Sequence, residues 1–197
     1  MSSAAWFVDG AYLYKAWDSL GRSDKLDYLK LRCYLEETHC GNGERIEDAY
    51  YFNADNDPQS AKSNAFYSAL SFPPPSGPGL RVKLYWLQRR QLYWPQSWGG
   101  GPVVHPKTNQ QYELIQQKGV DIGLAFHLMR SFYHREWSKL FLAAGDGDFH
   151  EVVQHLVEHE DVDLYLIGTL NTISDELRPY ARGIVKLDDL ADRISRL

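Results

Sequence analysis

A short apolar run over residues 139–144 ends at Gly145 and is followed directly by Asp146 and Asp148. A run of this length beside glycine is typical of a buried strand, so we expect the two carboxylates at its carboxyl end. In open α/β sheets, ligands bind in the crevice beyond the carboxyl ends of the strands. The segment therefore predicts both a buried strand and a polar site where it ends.

The amino terminus repeats this arrangement. Residues 4–8 predict a strand, Asp9 ends it, and Gly10 lets the backbone turn away. An acid at the end of a buried strand is not expected to serve as a helix cap. This favours a functional role for Asp9 and Asp146.

Segments with strand and helix patterns alternate along the chain, which predicts a parallel sheet with helices on both faces. The fold class is therefore α/β. The further predicted strands cover residues 45–52, 80–88 and 163–167. The predicted helices cover 11–17, 27–38, 120–133 and 149–158, and another begins at Asp57 and Pro58 and runs through Leu70. A closing helix is expected to be capped by Asp188, with Leu190, Ile194 and Leu197 on one face.

The chain has 197 residues, of which 44% are apolar, enough for one sizeable core. We expect a single domain over residues 1–197, with an aromatic-rich insertion loop at about 89–117. Because the formal net charge is -5, the protein is not expected to coat nucleic acid or anionic membranes nonspecifically. A nuclease remains compatible with this charge, since an acidic metal cluster would contribute to it.

Neither a membrane nor an oxidising compartment is indicated. No apolar run approaches the roughly 18 residues of a spanning helix, and the first residues do not resemble a secretion signal, so we expect a cytoplasmic protein. Cys33 and Cys40 are too few for a disulfide framework or a cysteine zinc site. Cys33 is expected to be a core thiol of the helix over 27–38.

A fourth acid lies at the start of the helix over 120–133. Asp121 falls outside the predicted core stripe of that helix, so Asp9, Asp121, Asp146 and Asp148 could converge above the sheet. Each like-charge pair would cost about 1 kcal/mol at 4 Å in water and roughly 4 kcal/mol at an effective dielectric of 20, so a cluster needs a cation. All-oxygen ligands favour Mg²⁺ or Mn²⁺. The stripe comprises Ile122, Ala125, Phe126, Met129 and Phe132.

Helix capping is the alternative explanation for two of these acids. Asp148 and Glu151 have the spacing of a capping box, and Asp121 could simply favour a helix amino terminus.

Four motifs, taken in order, resemble the NYN domain of the PIN-like nuclease superfamily, in its LabA-like branch. They are residues 7–10 with Leu13 and Tyr14, residues 118–125, residues 145–149, and Ser174 with Leu177 and Ala181. The resemblance implies a PIN-like three-layer sandwich with a central, mainly parallel sheet. It also implies a divalent-metal site and hydrolysis of RNA phosphodiester bonds.

On the matching positions, the resemblance assigns metal binding and catalysis to Asp9, Asp121, Asp146 and Asp148. Possible accessory residues are Tyr12, His127 and Ser174. The chain departs from the family pattern twice. Tyr12 stands where an asparagine is usual, and His127 stands where a second helical acid is frequent. Tyr12 supplies no amide, and His127 is a softer ligand that removes a negative charge.

Several residues outside the acids have the chemistry to contact nucleic acid. Lys118 precedes a helix amino terminus and could hold a phosphate, although an exposed turn lysine is an equal alternative. Arg89, Arg90, Trp94 and Trp98 combine cations with aromatic faces, which suits single-stranded RNA. Alternatively, the tryptophans pack on the domain or form a homo-oligomer contact.

The leading hypothesis is a metal-dependent ribonuclease in which Asp9 and Asp146 hold the metal. Either Asp121 or Asp148 would orient the attacking water. The alternative is a non-catalytic NYN protein that binds RNA or a protein partner, consistent with Tyr12 and His127. An aspartyl phosphatase is disfavoured, because Ala11 occupies the position where it would need a second acid.

Overall fold

A computed structural model describes residues 3–41 and 43–196 as alternating strands and helices. In chain order the elements are β1 (Ala4–Asp9), α1 (Gly10–Asp18), β2 (Lys25–Leu26), α2 (Tyr28–His39), β3 (Ile46–Asp55), α3 (Ala61–Ser71), β4 (Arg81–Trp86), β5 (Gln88–Gln91), β6 (Glu113–Gln116), α4 (Val120–Arg135), β7 (Lys139–Ala143), α5 (His150–Glu158), β8 (Asp163–Gly168), β9 (Gly183–Lys186), α6 (Leu187–Ile194) and β10 (Ser195–Arg196).

Six strands form one parallel sheet in the order β4-β3-β1-β7-β8-β9. From β1 the chain builds outward through β3 to β4. It then crosses back to β7 and builds outward on the other side. The strand order thus reverses between β1 and β7, and the crevice at such a switch point is where open α/β sheets bind ligands.

Helices cover both faces of this sheet, because side chains of successive strand residues point to opposite faces. Trp6 and Val8 of β1 pack in the core that includes α1, α2, α3 and α6. Ala5 and Phe7 pack in the core that includes α4 and α5. The predicted α/β three-layer sandwich is confirmed.

Several predicted helix boundaries are corrected. The helix expected from Asp57 and Pro58 begins instead at Ala61, where the Ser60 hydroxyl accepts the N–H of Ser63 at 3.0 Å. Asp188 lies inside the first turn of α6 and does not cap it. Leu197, expected on the core face of this helix, lies outside the described residues.

The core stripe predicted for α4 is wrong in part. Phe132 is buried as predicted, but the other core residues of the helix include Val120, Leu124 and Leu128. Ile122 is 78% exposed, and Phe126, expected in the core, is also exposed. Both sets recur with helical spacing, so periodicity alone could not decide which set faces the sheet.

The expectation of a core thiol is also wrong, because Cys33 is exposed. α2 buries Leu31 and Leu35 against the sheet. Cys33 lies two residues from each, about 200° around a helix of 3.6 residues per turn, and therefore points away from the core.

The segment predicted as a loop over 89–117 contains regular structure. β5 and β6 pair antiparallel, with Gln88 opposite Gln116 and Gln91 opposite Glu113. Backbone hydrogen bonds continue beyond them, including Val103 N–H to Leu92 O at 2.9 Å. We call residues 88–116 the aromatic hairpin.

The described helices are short. The longest, α4, has 16 residues. Within residues 3–41 and 43–196, no helix is both long and apolar enough to cross a bilayer.

Candidate acidic site at the sheet edge

Asp9 lies at the carboxyl end of β1 and also caps α1. One carboxylate oxygen, Oδ1, accepts the backbone N–H groups of Ala11 at 2.9 Å and Tyr12 at 3.1 Å. The expectation that this acid has no capping role was wrong. Because both bonds use the same oxygen, Oδ2 has no hydrogen-bond partner among the described residues and can bind a ligand.

Asp146 combines the same two properties beyond the end of β7. Its Oδ1 accepts the N–H of Asp148 at 3.1 Å and caps the short 3₁₀ turn Gly147–Phe149. Asp148, for which a capping box was the alternative, lies inside that turn and does not cap α5, whose N-cap is Phe149. Asp121 lies in the first turn of α4, in agreement with its alternative of favouring a helix amino terminus, and Gly119 is the N-cap with no side-chain bond.

Asp121 interacts electrostatically with each of the other three acids. Burial raises the pKa of Asp9 above the ordinary aspartate value of 3.8, and the charge of Asp121 raises it further, against the lowering effects of its backbone hydrogen bonds and Lys15. The pKa of Asp121 is raised by partial burial, then by the charges of Asp146 and Asp148. The surroundings therefore disfavour the charged form of these carboxylates, and a bound cation would stabilise that form.

The donor chemistry fits a hard divalent cation. All four side chains offer carboxylate oxygens, the ligands that Mg²⁺ and Mn²⁺ prefer. Within the part of the chain that the structure describes, no group of three or more His, Cys, Asp or Glu is arranged to hold a metal ion. Mg²⁺ usually keeps several waters and binds proteins through only one or two carboxylates, so the residues suit a hydrated ion better than an all-protein cage.

Tyr12 packs against the loops that follow β7 and β8, next to the acids. Its hydroxyl lies 3.1 Å from Thr172 Oγ1, and burial raises the pKa of Tyr12 to about 12. A Cβ at Gly145 would lie 2.3 Å from the Tyr12 ring, and one at Gly168 would lie 2.1 Å from its hydroxyl. Tyr12 thus stays neutral and fills the space between the carboxyl ends of β7 and β8, where glycines admit it.

The loop after β8 brings two further polar side chains to the acids. The N–H of Ser174 donates to Gly145 O at 2.9 Å. A Cβ at Gly147, between Asp146 and Asp148, would lie 1.9 Å from Glu176 Oε2 and 3.3 Å from Ser174 Oγ. Glu176 was not predicted. Glu176 follows β8, the strand that pairs with β7, and this position in the sequence could have indicated that it lies near the acids.

The other predicted residues lie elsewhere. His127 faces β3 and β4, where burial, then Lys83 and Arg130, lower its pKa. It therefore does not replace a carboxylate at the acidic edge. Lys118 is exposed just before Gly119, the N-cap of α4.

Residues of the aromatic hairpin are solvent-facing. Trp98 is 73% exposed, and its ring centroid lies 5.8 Å from that of Trp94. Arg89 pairs with Glu113 at 3.4 Å and donates to Asn56, and Arg90 is exposed. The hairpin leaves the sheet at the carboxyl end of β4, which is the same edge that carries the acids.

The raised pKa of Asp9 predicts how stability depends on pH. In EDTA, Asp9→Asn should be more stable than the wild type, with the difference absent below pH 3.8 and opening as the pH rises through the raised folded-state pKa. Asparagine caps helices about as well as aspartate, so α1 should be retained. Urea midpoints across about pH 3 to 7 measure the difference. A difference independent of pH would contradict the electrostatic origin.

Comparisons with known proteins agree with this architecture. A protein of unknown function from Vibrio parahaemolyticus has a solved structure that is similar with a TM-score of 0.65 and 16% sequence identity. The match covers 99% of this chain and 96% of that one. At this identity the likeness shows the fold alone. Among curated proteins none matches the chain.

The family comparison covers nearly the whole chain, because the NYN domain model matches residues 3–188. The matched region includes all four acids, Tyr12 and Ser174. The chain therefore belongs to the NYN domain family of the PIN-like superfamily, whose members are nuclease-like and act in RNA-related functions.

Proposed function

We propose that the protein hydrolyses RNA phosphodiester bonds at the edge formed by β1 and β7, with Mg²⁺ or Mn²⁺. One observation carries the proposal. Burial and neighbouring carboxylates raise the pKa values of Asp9 and Asp121, at the point where the strand order reverses. Such perturbed groups in a crevice are typical of functional sites.

Asp9 and Asp146 would hold the metal. Each commits Oδ1 to a backbone cap, which fixes the orientation of its side chain. When bound, a divalent ion supplies polarisation of the phosphoryl oxygen and a lower pKa for the attacking water. Asp121 or Asp148 would accept a proton from that water and orient it.

Lys118 and the first N–H groups of α4 would hold a phosphate of the RNA. The N-cap of α4 is Gly119, at φ 85°, and no side chain satisfies the first N–H groups as a cap. Backbone N–H groups at a helix amino terminus are suited to anions. The phosphate would lie beside Asp121, in the first turn of the same helix.

The aromatic hairpin would bind single-stranded RNA next to this edge. Trp94→Ala or Trp98→Ala should weaken RNA binding by about 1–3 kcal/mol while leaving the melting temperature unchanged, because stacked bases contribute about this much and both rings are exposed. Fluorescence anisotropy with a labelled single-stranded RNA measures the effect. A lower melting temperature with unchanged affinity would instead indicate that the rings pack on the protein.

A binding module without catalysis is the second candidate. Two observations favour it: the Tyr12 hydroxyl is engaged with Thr172, and His127 lies beside Lys83 and Arg130. The direct test is cleavage of a single-stranded RNA by purified protein with Mn²⁺, with Mg²⁺, and in EDTA. RNA binding without cleavage in either metal would support the binding module.

A further inference from the structure

A basic groove lies between α4, the edge strand β4 and its neighbour β3, on the α4 face of the sheet. Its volume is about 430 Å³. We call it the α4–β4 groove. Its basic lining residues are Arg81, Lys83, His127, Arg130, His134 and Arg135.

The charge of the groove is opposite to that of the whole chain. Four lysine and arginine side chains face one carboxylate, Asp48, which leaves a formal charge of +3 with both histidines neutral. The complete chain carries -5. Concentrating cations in one concave surface attracts anions locally even when the protein as a whole repels them.

Ion pairs within the protein neutralise only part of this positive charge. Asp48 is 2% exposed and pairs with Arg81 at 2.8 Å, and Arg135 lies at 4.0 Å. The Arg81 side chain is also fixed over the ring of Tyr50, 5.0 Å from its centroid. The buried carboxylate of Asp48 therefore pairs with Arg81 and Arg135.

Lys83 and Arg130 have no ion-pair partner among residues 3–41 and 43–196. Their positive field is felt locally, since both lower the pKa of His127. Unpaired cations on two different elements, held at one groove, are suited to an external anion.

We propose that the α4–β4 groove binds the phosphodiester backbone of the RNA strand whose scissile bond lies at the acidic edge. The groove and the edge share α4: Asp121 is in its first turn and Arg130 lies nine residues later, about 14 Å along the helix axis. Reaching both requires a strand rather than a single small anion. Cationic side chains that contact phosphates position a strand without reading its sequence.

This inference rests on the proposed function for the identity of the strand, and its test measures binding separately from cleavage. The probe is a fluorescent 20-nucleotide single-stranded RNA, and all variants carry Asp146→Asn so that the RNA stays intact. Lys83→Ala with Arg130→Ala should weaken binding about tenfold at 0.15 M salt and reduce the slope of log affinity against log salt by about 1.4, at 0.7 for each lost phosphate contact.

The matched control is Lys30→Ala with Arg193→Ala. These residues lie on α2 and α6, on the other face of the sheet, and their removal changes the net charge equally. Thermal melts verify that both double variants are folded. Equal affinity of the groove variant and its Asp146→Asn parent would overturn the inference, and so would an equal loss in the control.

Cleavage by the wild-type protein is scored independently. If the wild type cuts RNA but the groove variant binds normally, the proposed function stands and the inference fails. If the groove variant loses binding while the wild type never cuts, the groove stands as a binding site for the RNA backbone and the hydrolase assignment fails.

Discussion

Asp146→Asn should reduce Mn²⁺-dependent RNA cleavage by at least about 100-fold. Residues that merely support metal ligands already change affinity or activity by 10–100-fold when mutated, so the loss of a proposed ligand should reach the upper end of that range. Asparagine retains an oxygen that can accept the N–H of Asp148, the bond that holds the 3₁₀ turn. The effect should therefore come from the missing charge and not from a collapsed loop.

The measurement is the initial rate of cleavage of a labelled single-stranded RNA with excess Mn²⁺. Asp189→Asn is the matched control, because Asp189 is, like Asp146, an exposed aspartate, and it lies away from the acidic edge in the first turn of α6. It should keep the wild-type rate. Equal activity of Asp146→Asn and the wild type would refute the acidic edge as the catalytic site.

The architecture could be predicted because it depends on local signals. The apolar runs of β1 and β7 end in acids, and alternation of strands with helices allows few topologies. The sequence could not show which face of α4 meets the sheet, since Ile122 and Leu124 both belong to stripes with helical spacing. β9, with only four residues, gave too short a pattern to detect.

The acids were found for reasons that were partly incorrect. A capping role was considered only as an alternative for Asp148 and excluded for Asp9 and Asp146, whereas Asp9 and Asp146 are the residues that cap. A strand that runs directly into a helix or turn makes its last acid the N-cap as well. Capping and ligand binding are therefore compatible at such a junction, because one carboxylate oxygen serves each.

The remaining parts of the site depend on contacts that no sequence spacing reveals. Tyr12 reaches Thr172, and Asp48 in the basic groove accepts a hydrogen bond from Ser131. These partners are 160 and 83 residues apart. Only the order of strands in the sheet brings them together. The departure at Tyr12 was visible in the sequence, but its role beneath the acidic loop required the fold.

Divalent metal should raise the melting temperature of the wild type by roughly 5–10 °C. A ligand at 100 times its dissociation constant stabilises the folded state by about 2.7 kcal/mol, and a domain of this size gains about 2–4 °C per kcal/mol. In EDTA, Asp9→Asn and Asp146→Asn should both melt at a higher temperature than the wild type. The first removes a charge that burial disfavours, and the second removes a charge that raises the pKa of Asp121.

The experiment is a set of thermal melts of the wild type, both variants and the control Asp189→Asn, in EDTA and in Mn²⁺. The Asn variants should lose most of the metal-dependent rise, and Asp189→Asn should retain it. This readout needs no substrate, so it tests the metal site even if the RNA target is not supplied. Identical melting of all four proteins under both conditions would mean that the carboxylates act only as separate caps and surface charges.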